Sequence, residues 1–190
     1  MCGDCLLQPP AAVRLCVAAV DYRFPWDGLI ARLKFRNEPG WAGPLGELMW
    51  QSALNRRLLT PETLLVPVPV TPARLAQRGY NQAWELCKVV GRLSGRHALS
   101  GALVRLADAP DQHQLPLSRR LDNLHGAFAA HPNLAGRLRG STVVLVDDVR
   151  TTGSTLHHAA VALRQAGVVH VHALVLARTP QATEEGPVTS

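Results

Sequence analysis

The chain has 190 residues, 47% of them hydrophobic, and a formal net charge of +6. A domain of this size buries roughly 70% of its unfolded surface, enough for one full core. No apolar run approaches the roughly 18 residues of a membrane span, and no basic stretch leads into a secretory core, so the chain reads as cytoplasmic, without membrane insertion. In chain order, "CGDC" from Cys2 to Cys5 comes first. Its spacing is that of a zinc knuckle, but a closed tetrahedral site takes four ligands and no second pair follows. Zinc is therefore doubtful: either the partner pair lies upstream or residues 1–14 are the remnant of a ribbon. Apolar, β-rich runs follow at Leu15 to Val20, Thr63 to Val70, Ala102 to Leu106, Thr142 to Val146 and Val168 to Ala177. Helical periodicities lie between them, starting at Trp26, Trp41, Asn81 and Thr155.

Strands alternating with helices predict an α/β domain over residues 15–179, a mostly parallel sheet with helices on both faces. "ADAPDQHQLP" from Ala107 is polar, proline-bearing and aperiodic, which predicts an exposed loop. Residues 180–190 have no apolar anchors and predict a disordered tail. Cys16 and Cys87 sit in apolar patterns, as inert core thiols do. Lys34 and Lys88 are the only lysines, so arginine carries the positive charge. Its planar fork suits phosphorylated ligands or a nucleic-acid backbone, although a base-composition bias gives the same count.

In the stretch "VVLVDDVRTTGST", Val143 to Val146 read as a buried strand and "DDVRTTGST" as the turn at its carboxyl end, with Asp147 and Asp148 first and then hydroxyls around Gly153. The carboxyl end of a parallel strand is where open sheets bind ligands. Free amides at the start of the next helix attract a phosphate there. The two acids would repel that phosphate, so they suit sugar hydroxyls or a divalent cation beside it. A ligand with a terminal phosphate and a neighbouring diol, such as phosphoribosyl pyrophosphate, satisfies both ends. A P-loop is excluded, because neither lysine follows a glycine in the required pattern. A receiver domain is excluded, because only residues 149–190 remain after the acids. An ordinary capped helix would need only one acid and one hydroxyl.

These residues resemble the phosphoribosyl pyrophosphate signature of type I phosphoribosyltransferases. "CGDCLLQPP", "IARLKFR", "LLVPVPVTPARLAQRGYNQA" and "DQHQLPLSRRLDNLHGAF" narrow the resemblance to the ComF/GntX group, from Cys2 to about Arg178. The resemblance implies that Asp147 and Asp148 hold the ribose hydroxyls. It also implies that Val149, Arg150, Thr151, Thr152, Gly153, Ser154 and Thr155 cradle the 5-phosphate, with Mg²⁺ accompanying the donor. "VPVP" at Val66 to Pro69 falls at the pyrophosphate loop, with Arg74 and Arg78 close behind. Lys34, Asn81, Gln82, Gln112, Arg120 and Asn123 lie in motifs typical of the group and would face an acceptor or nucleic acid. Asn81 is equally a plain helix cap. Members of the group usually begin with a four-cysteine ribbon, which this chain largely lacks.

Transfer from such a donor needs water excluded, a task for the loop from Ala107, where Asp108 and Asp111 are either acid–base groups or solvated loop acids. Trp26, Trp41, Trp50 and Trp84 either stack bases or fill the core. The histidines lack partners at ligand spacing. Three functions follow: phosphoribosyl transfer to an unknown acceptor; handling of single-stranded DNA, for which the resemblance implies a part in DNA uptake during competence, with an uptake machinery, or in the use of DNA as a nutrient; or regulation by donor binding without turnover. Donor binding ranks first and catalysis last, since fold alone does not fix function.

Overall fold

A computed structural model describes residues 12–106 and 127–180. Its elements are β1 (Cys16–Asp21), α1 (Trp26–Phe35), α2 (Ala42–Asn55), β2 (Thr63–Pro67), α3 (Pro72–Arg78) and α4 (Gln82–Ser94). Then come β3 (His97–Ala98), β4 (Leu103–Arg105), β5 (Phe128–Ala130), α5 (Ala135–Leu138), β6 (Thr142–Arg150), α6 (Ser154–Gln165) and β7 (His170–Arg178). Five strands form a parallel sheet in the order β1-β7-β6-β2-β3. The predicted parallel α/β sheet is therefore present. The tail beyond Pro180 and the segment before Ala12 lie outside the described residues.

The central strand shows why both faces are covered. Successive side chains of a strand point to opposite faces, and Val143, Val144, Leu145 and Val146 are all buried completely. Val143 and Leu145 pack with Leu156, Ala160 and Leu163 of α6 and with Phe128 of β5. Val144 and Val146 pack with Ile30 and Leu33 of α1, Met49 of α2 and Leu86 of α4. The four tryptophans are half-buried against this second cluster, which fits their core role.

Three strands differ from expectation. The run from Thr63 stops at Pro67, because Pro67 and Pro69 have no N–H for the ladder; Val68 alone donates to the Val146 carbonyl, at 2.9 Å. The run from Thr142 continues to Arg150, because β7 pairs along its whole length, as far as Arg150 with Arg178. Asp147 and Asp148 are thus strand residues rather than turn residues. The run at Ala102 to Leu106 is not part of the parallel sheet: β4 pairs antiparallel with β5 in a separate ribbon. The elements α3, β3, β5 and α5 are too short to leave a period in the sequence.

Helices α2 and α4 meet at Gly46. A Cβ there would stand 2.6 Å from Val89 Cβ, a branched side chain with no flexible end to move aside. Alanine gains about 1 kcal/mol in helix propensity, but the overpacking costs up to about 3 kcal/mol. Gly46→Ala is therefore expected to lower stability by about 1–2 kcal/mol in urea unfolding. An unchanged or raised midpoint would contradict this contact.

Candidate ligand site at the carboxyl ends of the central strands

From β2 the chain moves outward to β3, whereas from β6 it moves the other way to β7. The carboxyl ends of β2 and β6 therefore flank the point where the winding reverses, the place where open parallel sheets hold ligands. Two loops meet there, one from Pro67 and one from Arg150.

The second loop is a short turn. Its base is fixed by Thr179 N–H donating to the Arg150 carbonyl at 2.9 Å. Thr151 and Thr152 are exposed, and Gly153 has φ 83°, a left-handed conformation that favours glycine. A Cβ at Gly153 would also meet Arg150 Nε at 3.1 Å, so the glycine lets the guanidinium lie close against the turn. The α6 helix starts with no side-chain cap; Thr152 Oγ1 accepts only from the Ser154 amide, at 3.3 Å. The amides of Thr155 and Leu156 carry no hydrogen bond to another described group. Ser154 is tied to His158, whose Nδ1 lies 2.8 Å from the Ser154 carbonyl. A cavity of about 310 Å³ opens beside the turn, lined by Arg150, Thr151, Thr152, Asp21, Arg178 and Thr179. Free amides, a helix dipole and a guanidinium together attract an anion. Six of the seven residues expected to cradle a phosphate surround this turn; Val149 instead packs against the core.

The acids diverge. Asp148 is only 4% exposed. Its Oδ1 lies 3.0 Å from Lys34 Nζ and accepts from the Val149 amide at 2.5 Å, while its buried Oδ2 has no hydrogen-bond partner among the described residues. Asp147 is half-buried and accepts from the Asp148 amide at 2.8 Å. Burial, and then the charge of Asp148, push the Asp147 carboxyl up to about 8, against the pull of the Asp148 amide, Lys34 and Arg105. Among the described residues no three histidine, cysteine, aspartate or glutamate side chains form a metal cage. A magnesium ion here would be held by a ligand's own oxygens and water, its common mode of binding. The unsatisfied Asp148 oxygen fits a hydroxyl donor.

The first loop is held by the start of α4. Asn81 caps that helix, its Oδ1 accepting from the amides of Ala83 (2.9 Å) and Trp84 (3.4 Å), while its Nδ2 donates to the Val68 carbonyl at 3.0 Å. Gln82 is buried and accepts from Arg78 at 2.8 Å; the Arg78 guanidinium covers the Phe35 ring at 5.1 Å. Arg74 lies in α3, whose cap is Thr71 Oγ1. The structure thus brings Lys34, Arg78, Asn81 and Gln82 together with the loops of the site. Cys2, Cys5, Asp108, Asp111, Gln112, Arg120 and Asn123 lie outside the described residues. Sequence reasoning missed Tyr80, whose hydroxyl donates to the Leu33 carbonyl, and Arg105, which acts on Asp147 from β4. The "RGYNQ" run was the available signal for Tyr80; nothing local marked Arg105.

Residues 102–186 match the phosphoribosyl transferase domain family. DNA utilization protein YhgH of Escherichia coli strain K12 is 36% identical over 181 residues, covering 94% of this chain and 78% of that one. Competence protein F of Haemophilus influenzae is 33% identical over 181 residues, covering 93% and 78%. Among solved structures, a glutamine phosphoribosylpyrophosphate amidotransferase from Bacillus subtilis gives a TM-score of 0.49 at 15% identity, over 77% of this chain and 30% of that one. The parallel sheet and the domain match define a protein of the phosphoribosyltransferase-like class. Within that class, the chain belongs to the ComF family.

The raised carboxyl of Asp147 has a stability consequence. Between about 4, the ordinary value, and about 8, the folded chain keeps a proton that the unfolded chain has released. Its contribution is complete below the lower value and is lost as pH rises through the upper one. Asp147→Asn removes this dependence. Urea unfolding is expected to show the variant gaining on the wild type from about pH 5 to about pH 9; a constant difference between them would refute the assignment.

Proposed function

We propose that the site binds phosphoribosyl pyrophosphate together with Mg²⁺, and that the protein acts in a process that takes up or consumes DNA. The observation that carries the first part is the uncapped turn from Thr151 to Thr155 beside Asp148, whose buried Oδ2 has no partner among the described residues. The turn suits the 5-phosphate, Asp148 and Asp147 suit the ribose diol, and the Pro67–Val70 loop suits the pyrophosphate. Bound Mg²⁺ would supply charge neutralisation on the departing pyrophosphate. The chain's own part is to anchor and orient the sugar, so that an acceptor displaces pyrophosphate at the anomeric carbon. The names of the relatives support the second part, because they are described by DNA utilization and competence.

Calorimetric titration of phosphoribosyl pyrophosphate with Mg²⁺ tests the site. The Asp147→Ala, Asp148→Ala double variant is expected to bind at least about tenfold more weakly than wild type, the loss that follows when hydrogen bonds to charged acceptors are removed. Equal affinities would remove the assignment. Pyrophosphate release with bases, nucleosides or DNA as acceptor would establish turnover; binding without release would leave a donor-sensing regulator.

A second reading, binding of single-stranded DNA, is favoured by the +6 charge carried almost wholly by arginine. It predicts an affinity for oligonucleotides that falls steeply as salt rises. Binding that is absent, or indifferent to salt, in a fluorescence anisotropy titration would reject it.

A further inference from the structure

Lys34 is fixed on both sides by the turn that leads into α4. The Leu33 carbonyl accepts from Tyr80, and the Phe35 ring lies under the Arg78 guanidinium at 5.1 Å. The same turn holds the Val68 carbonyl through Asn81 at 3.0 Å, and Val68 N–H is bonded to Val146, two residues before Asp148. A closed circuit of contacts therefore runs from the end of α1 through residues 78–81 and the Pro67–Val70 loop to β6. Lys34 completes it by reaching Asp148 Oδ1 at 3.0 Å. An ammonium has three N–H donors. Asp148 Oδ1 takes one, and the Lys34 side chain is 18% exposed, so it is not sealed in.

This placement answers an electrostatic difficulty. Carboxylates that accept a sugar diol stand a few ångströms from any anion attached to that sugar, and like charges at such distances repel. Lys34 reaches Asp148 from the end of α1, and the residues on either side of it are held by the turn that also carries the Pro67–Val70 loop. A cation there offsets the acid and attracts an anion arriving beside it. We propose that Lys34 is a specificity-determining residue: with Asp148 on one side, it directs its remaining donors to the pyrophosphate of a phosphoribosyl donor and makes the site prefer that donor to ribose 5-phosphate.

The inference rests on the reading of the site as one for phosphoribosyl pyrophosphate, and the experiment separates the two. Phosphoribosyl pyrophosphate with Mg²⁺, and ribose 5-phosphate with Mg²⁺, are titrated into wild type, Lys34→Gln and Lys34→Arg. Lys34→Gln is expected to lose on the order of tenfold or more for the pyrophosphorylated sugar and less than about threefold for ribose 5-phosphate, with Lys34→Arg recovering part of the preference. A purely structural lysine would weaken both ligands alike.

A measurement without any change at Lys34 guards against a variant that does not fold. Lys34 and Lys88 are the only lysines, so lysine-selective ¹³C labelling gives two side-chain signals. Lys88 is paired with Glu85 on α4 at 2.8 Å and serves as the internal control, assigned through Lys88→Gln. The Lys34 signal should move with phosphoribosyl pyrophosphate and far less with ribose 5-phosphate, while Lys88 stays still. Equal movement with both ligands, or equal loss of both affinities in Lys34→Gln, overturns the role of Lys34 alone. No binding of phosphoribosyl pyrophosphate by wild type overturns the site reading and this inference with it.

Discussion

The central strand must end in two carboxylates although both of its faces are buried, and that constraint organises the molecule. A strand turns neighbouring side chains to opposite faces, so Asp147 and Asp148 meet different surroundings, although Lys34 acts on both. Asp148 meets Lys34 from α1, on the face where Val144 and Val146 pack. Asp147 follows Leu145 onto the other face, where Arg105 of β4 draws on it. Segments far apart in the chain, the first helix and the β4–β5 ribbon, thus converge on adjacent residues. Leaving a buried carboxylate oxygen without a partner is costly. Asp148 Oδ2 is in that condition among the described residues, and a hydroxyl donor would relieve it.

How much of this was legible follows from the range of each interaction. The α1 helix runs from Trp26 to Phe35, the stretch its periodicity marks, because Ile30 and Leu33 define one apolar face locally. The parallel sheet was readable because its buried strands are continuous apolar runs separated by helices. The end of β6 was not, since Asp and Arg are poor strand formers and only pairing with β7 carries the strand through Asp147–Arg150. Asp148 and Lys34 each stood out, one in an acid pair and one as a rare lysine. Their contact was invisible because it depends on where α1 docks. Asn81 shows the converse: as a helix cap it was readable, and its second bond, to Val68, is tertiary.

The aromatic residues change in meaning once placed. Trp26, Trp41, Trp50 and Trp84 pack against the core on the α1 side. Trp41 N–H is also bonded to Glu38 at 2.9 Å, and Lys88 lies over Trp84 at 5.9 Å. Their faces are largely committed to the fold. Phe24 and Phe35, at the two ends of α1, are instead 87% and 71% exposed. Phe35 carries Arg78 on its ring, an arrangement that joins cation and aromatic face next to the Lys34 site. Any stacking contribution to nucleic-acid binding would therefore fall to the surroundings of α1 rather than to the tryptophans.

The chemistry open to the site is also restricted by what surrounds it. Both described cysteines are hindered as nucleophiles: burial pushes the Cys87 thiol up to about 12 and raises Cys16 as well, although Arg150 pulls Cys16 back. Ser154 is engaged with His158, but it lies at the uncapped start of α6, where the helix dipole favours an anion over an alkoxide-forming base. Among the described residues the site is composed of anchors: amides, a guanidinium, two acids and an ammonium. On the proposed reading, such a set would hold a sugar by both ends while its own leaving group departs. Acceleration would then come from orientation and from charge fixed in place before reaction. The same anchors without an acceptor would make a receptor for the donor. On that reading, enzyme and sensor would differ in whether a second ligand can reach the anomeric carbon, and not in the acids or the turn.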